Sequence, residues 1–153
     1  MPKVQKDLVD RVHTIAEHVK DDLRKKGVIV PVKQKDGSVH FDDYIMVKES
    51  DGYHVYKKKL HMAGPINLPQ TAIVIANGLA LGRLVDDKLI EQDRWYGFKL
   101  FDEEVYTKSA NNSLKNKNYD KADFCFTRAS IAKQQKETHK RDIMSHFNRI
   151  KLA

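Results

Sequence analysis

Two helical patterns on the C-terminal side constrain this chain more than anything else in it. From Asp86 to Leu152 the apolar residues recur at helical spacing, interrupted by the polar cluster Lys115-Asn116-Lys117-Asn118. The segment therefore reads as two long helices joined by a tight turn. On the second helix Ala122, Cys125, Ala129, Ala132, Lys136, His139, Ile143, His146 and Ile150 follow one another at steps of three and four, which puts all of them on one face. The face begins with small residues, turns polar at Lys136 and His139, and is apolar again at Ile143, Phe147 and Ile150. Small residues let a neighbouring helix come close, as the turn end of a hairpin requires. The apolar return lies about 30 residues, roughly 45 Å, away and needs a partner of its own. Ile143, Phe147, Ile150 and Leu152 are accordingly the candidate interface, since an apolar patch on a long helix more often marks an interface than a private core. The competing reading folds this tail back onto the N-terminal segment.

The first hairpin helix, read as Asp86 to Ser113, carries Leu89, Tyr96 and Leu100 on one side and Ile90, Phe98, Phe101 and Val105 on the next, with Trp95 between them. The small residues Ala122, Cys125, Ala129 and Ala132 are expected to face Tyr96, Leu100 and Phe101. That would bury Cys125 as a small apolar residue rather than leave it a nucleophile.

Upstream, residues 2–26 read as an amphipathic helix with the stripe Val4, Leu8, Val12, Ile15, Val19 and Leu23, closed by Gly27. From Val28 to Met62 the periodicity turns to short strand-like runs punctuated by Asp36-Gly37 and Asp51-Gly52, both hairpin signals. A small antiparallel sheet of two or three strands is expected, with Tyr53 and Val55 on one face and His54 and Tyr56 on the other. Such a sheet must pack on helices to be stable. Asn67 to Leu81 reads as a short buried helix with Asn67 as its cap and Pro69 in its first turn. The whole is a single α+β domain over residues 1–153, from which a helical hairpin, 86–152, protrudes.

Charge bears on partners. Among 153 residues, 28 Lys and Arg stand against 21 Asp and Glu, a net charge of +7. From Arg128 onward seven basic residues meet only Glu137 and Asp142, a surplus of +5, so much of the excess sits on one helix. Lys133, Lys136, Lys140, Arg141 and Arg149 could follow phosphates there. Lys57, Lys58 and Lys59, beside an aromatic strand, could grip a single strand, although lysines at a strand edge commonly serve to prevent edge pairing. A basic nucleic-acid-binding module is thus the alternative to a structural role.

No catalytic set emerges. His139 and His146 are a heptad apart, His13 and His18 are five apart, and neither pair has the spacing of a helical zinc site. Neither metal nor cofactor is expected, and an enzyme is the least supported class. Nothing resembles a signal core or a membrane span, and one cysteine excludes an internal disulfide, so the chain is not expected to be secreted.

Three strings, Asp51-Gly52-Tyr53-His54-Val55-Tyr56, the helix from Ala72 to Leu79, and Lys117-Asn118-Tyr119-Asp120-Lys121-Ala122-Asp123, resemble a family of small proteins encoded by marine, contractile-tailed bacteriophages. The resemblance covers about Tyr44 to Lys140. It implies a phage structural or accessory protein, in the particle or the host cytoplasm. Together with the apolar patch Ile143, Phe147, Ile150 and Leu152 the expectation is a virion accessory subunit that assembles through its helices, with a protein partner or with itself. The resemblance transfers no functional residue.

Overall fold

The structure, a computed structural model, describes the backbone of residues 19–152. The stripe from Val4 to Ile15 lies outside the described residues, as do His13 and His18. A helix, α1, is described over 19–25. It ends where Gly27, at φ 87°, lets the Val28 N–H reach back to the Leu23 carbonyl at 2.8 Å, the left-handed closure that glycine permits.

Five antiparallel strands follow in a simple meander, β1 Val32–Lys33, β2 Val39–Phe41, β3 Tyr44–Glu49, β4 Gly52–Lys57 and β5 Leu60–Ile66. The fold class is α+β as expected, but the sheet is larger than two or three strands. The register sets Met46 against Val55 and Val39 against Met46, so Val55, Met46, Phe41, Ala63 and Ile66 share the core face. Val47 pairs with His54, Ile45 with Tyr56 and Tyr56 with His61, which gives the opposite face its histidines. The register shifts along β4–β5, so β5 bulges past His54.

Helix α2, Pro69–Ala80, lies on the core face and buries Ala72, Ile75, Ala76 and Leu79. Asn67 is not its cap. The cap position is Leu68, without a side-chain hydrogen bond, and the job passes to Asp93 on the next helix. Its carboxylate accepts the Asn67 N–H at 2.7 Å and the Leu68 N–H at 2.9 Å. Within α2, Asn77 is buried because it staples the entry to the sheet. Its amide accepts the Ile29 N–H at 2.8 Å and donates to the Gly27 carbonyl at 3.0 Å.

Helices α3, Asp87–Lys115, and α4, Tyr119–Leu152, form the expected hairpin. Asp86 caps α3 through Lys88 and Leu89, and Lys117 turns the chain at φ 60°. Ala122, Cys125, Ala129 and Ala132 are buried on α4 and Ala110 and Ser113 on α3. The α4 side of the seam is made of small residues, as read from the sequence. On α3, however, the buried residues near the turn are Ala110 and Ser113, and the expected Phe101 is not part of the seam, being 64% exposed. Cys125, 5% exposed, should resist thiol reagents until the protein unfolds, and Ala129→Leu should overpack the seam at a cost of about 1–3 kcal/mol. Timed labelling and urea unfolding check both; rapid labelling of the native chain would contradict the seam.

Candidate functional site

At its root the hairpin belongs to the core. Ile143, expected at an interface, is wholly buried among α2 and sheet residues, so it is a core residue and leaves the interface set. Phe147 and Ile150 are half-buried, and Ile150 lines a small cavity with Val28, Val74 and Arg83. The Leu152 side chain lies outside the described residues. The apolar return of α4 therefore finds its partner inside its own chain.

The exposed apolar surface lies elsewhere, on the outer side of the hairpin. Trp95, Phe98, Phe101 and Val105 are 45%, 52%, 64% and 44% exposed. Steps of three, three and four place them within an arc of about 120° on α3. On α4 Phe124 and Ile131 are likewise exposed, with the Arg128 guanidinium 5.3 Å above the Phe124 ring. Single exposed apolar residues are ordinary, but a row of aromatics on one helix face is not. Beside the row an open groove of about 940 Å³ runs along α3 from Leu100 to Lys115 and includes Glu103, Glu104 and Lys136. The sequence signal for this surface was present, because α3 carries more aromatics than a seam of alanines can cover.

The basic residues divide. Lys136 is not free to meet a phosphate: its ammonium lies 2.7 Å from Glu103 of α3, with 13% and 23% of the two side chains exposed. Lys133, Arg141 and Arg149 are exposed and Lys140 half-buried; among the described residues none of the four has a carboxylate within ion-pair distance. Lys57 sits 5.6 Å above the Tyr44 ring, and Lys58 and Lys59 form the exposed two-residue loop between β4 and β5.

A separate polar cluster occupies the outer face of the sheet. His54, 7% exposed, points Nε2 at Asp51 Oδ1, 2.7 Å away, and at Glu49 Oε2, 3.5 Å away. Its Nδ1 is 2.9 Å from His61 Nε2. The Tyr56 hydroxyl donates to Glu49 Oε1 at 2.7 Å, and that bond makes the hydroxyl hold its proton more firmly than usual. The hydrogen bond from His54 keeps the Asp51 carboxyl below its ordinary value. This grouping was missed in the sequence because its carboxylates flank a turn and its histidines sit on two strands.

Compared with known families, curated proteins and solved structures, the chain matches none. Among the described residues no helix is long and apolar enough to cross a membrane.

The Lys136–Glu103 pair joins the two helices midway along the hairpin. The hydrogen bond to Glu103 raises the Lys136 ammonium above its ordinary value of 10.5. A folded value above the unfolded one means that the pairing stabilises fully below the unfolded value and is lost as pH rises through the folded one. Lys136→Met should cost about 1–3 kcal/mol by stranding a half-buried carboxylate, and adding Glu103→Gln should recover part of it. Urea unfolding of the single and double variants near neutral pH measures both steps.

Proposed function

We propose that this chain is a non-enzymatic structural subunit, of the kind that builds a phage particle, and that it assembles with a second copy of itself through the outer face of its helical hairpin. The observation that carries the reading is the row Trp95, Phe98, Phe101 and Val105, left exposed along α3. Charge favours a second copy as the occupant. Helix α3 carries five Lys and Arg against six Asp and Glu, whereas α4 carries eight against four. Antiparallel docking of two hairpins would bring the exposed Glu104 at the rim of the α3 groove to the basic residues of the other copy's α4 that have no carboxylate partner among the described residues. The aromatic row would then be covered as in a four-helix bundle.

Because Phe98 and Phe101 face solvent, replacing both by Ser should leave the monomer folded while abolishing assembly. Light scattering across a concentration series should show the wild-type chain as a dimer or larger and the double variant as a monomer with unchanged circular dichroism. A wild-type chain still monomeric at roughly 100 μM, where a micromolar contact is almost fully formed, would overturn the proposal.

A second reading rests on Lys133, Lys140, Arg141 and Arg149, which have no carboxylate partner among the described residues. A phosphate backbone would suit them. Affinity for DNA should then fall steeply with salt, the logarithmic slope growing by about one for each phosphate neutralised. Filter binding at low salt, with Lys133→Glu and Arg141→Glu weakening all sequences alike, tests this; no retention of DNA by the wild-type chain would exclude it.

A further inference from the structure

We propose that Glu49, Asp51 and His54 form a binding site for a divalent transition-metal ion, with zinc the best match, at the β3–β4 turn. The three side chains offer two carboxylate oxygens and one imidazole nitrogen, all within 4.8 Å of one another. A tetrahedral ion with ligands near 2.0–2.1 Å holds its ligand atoms about 3.3–3.5 Å apart. His54 Nε2 and Glu49 Oε2 already stand at 3.5 Å. Asp51 Oδ1, at 2.7 Å from Nε2, must retreat by less than an ångström, and its side chain is 58% exposed on a turn, where that movement is unhindered. Imidazole with carboxylates suits zinc and its neighbours in the first transition row.

What separates the site from an ordinary surface cluster is the layer behind the ligands. A metal-binding histidine commonly donates its other ring N–H to a fixed acceptor, and a metal-binding carboxylate is itself held by a hydrogen bond. His54 Nδ1 faces His61 Nε2 at 2.9 Å, and Glu49 receives the Tyr56 hydroxyl at 2.7 Å on Oε1, leaving Oε2 toward His54. His54 is buried by its own strand and by the bulge of β5. A Cβ at Gly64 would come within 2.5 Å of His54 Nδ1, so only a glycine at 64 leaves the ring this place.

The His54–His61 pair also lets the metal enter without a change of charge on the rings. With the site empty, His54 Nε2–H donates to Asp51, and its Nδ1 accepts from His61 Nε2–H. With the ion bound, His54 Nε2 is the ligand and Nδ1–H donates to His61 Nε2, while the His61 proton moves to its own Nδ1. Two ring protons are present before and two after. Three protein ligands leave a fourth position for water. Asp51 also edges a cleft of about 560 Å³ with Pro65, Arg94, Phe98 and Phe101, so exchange with dissolved ligands is open.

The test is titration of the full chain, stripped of metal, with Zn²⁺ by calorimetry and with Co²⁺ by visible absorption. One ion per chain is expected, with the intense bands of tetrahedral cobalt, and binding should weaken in acid because the ligands must be deprotonated to hold the ion. Glu49→Gln and Asp51→Asn, both at exposed positions, should each lower affinity at least tenfold with the fold intact. Tyr56→Phe and His61→Ala should lower it by about 10- to 100-fold, as outer-layer changes do. His54→Gln should abolish the cobalt bands. Absence of binding by the wild-type chain, or binding that Glu49→Gln and Asp51→Asn leave unchanged, would overturn the proposal and leave the cluster a set of hydrogen bonds. Because Asp51 shares its cleft with Phe98 and Phe101, oligomeric state is followed in the Glu49→Gln variant, whose position lies outside that cleft. Loss of metal binding there with assembly unchanged keeps this result apart from the assembly reading.

Discussion

The carboxylate of Asp93 joins the two halves of the molecule. It is 2% exposed and accepts the backbone N–H groups of Asn67 and Leu68. These amides sit where β5 gives way to α2, and Pro69 supplies no N–H of its own. The acid thus satisfies two donors at a helix start and lies at the positive end of the α2 dipole. It is also the point at which the root of α3 is fixed to the core. The Asn67 amide returns a bond to the Asp93 carbonyl at 3.0 Å, and a Cβ on Gly97 would overlap the Asn67 side chain. One carboxylate and one glycine therefore set the line along which α3 leaves the core, and α4 returns along it to deliver Ile143 among the core residues.

Asn77 does the corresponding work at the other end of α2. By taking the Ile29 N–H and giving to the Gly27 carbonyl, it fixes the segment between α1 and the sheet on the same helix that Asp93 anchors. Both residues are polar, buried and fully engaged with backbone, the arrangement in which a buried polar group specifies a geometry instead of only costing desolvation. Helix α2 is consequently held at both ends by side chains distant in sequence, and the sheet and the hairpin take their positions from it.

That distance explains what could be read from the sequence and what could not. The hairpin, its turn and its seam of alanines were legible because helical periodicity and breaker residues are local signals. The alternation of His54 and Tyr56 against Val55 was legible for the same reason. Strand β1 has two exposed residues and β5 carries Gly64-Pro65 and register shifts, so neither shows alternation, and the sheet looked smaller than it is. The face of Ile143 could be read, but periodicity names a face without naming what covers it. Lys136 is similar: its place on the buried side of α4 was plain, while its partner Glu103 stands on another helix. The polar cluster was hidden most completely, since Glu49 and Asp51 look like turn chemistry, and His61 reaches His54 only because β5 bulges.

The two exposed regions differ in what they can offer a partner. A seam of alanine, serine and cysteine brings helices close but removes little apolar area from water, and burial stabilises in proportion to that area at about 25 cal/mol per Å². Beyond the level of the Lys136–Glu103 pair Val105, Leu114, Phe124, Phe126 and Ile131 stay exposed, and nearer the core so do Trp95, Phe98 and Phe101. Most of the apolar area that could hold the outer hairpin together is thus not used within one chain. The outer face of the sheet is the reverse case: its charged and aromatic groups already satisfy one another through short hydrogen bonds, which suits a small hydrated ion and gives a protein surface little to bury. The two proposals differ in partner size for this reason, a helical surface for the hairpin and a single ion for the turn.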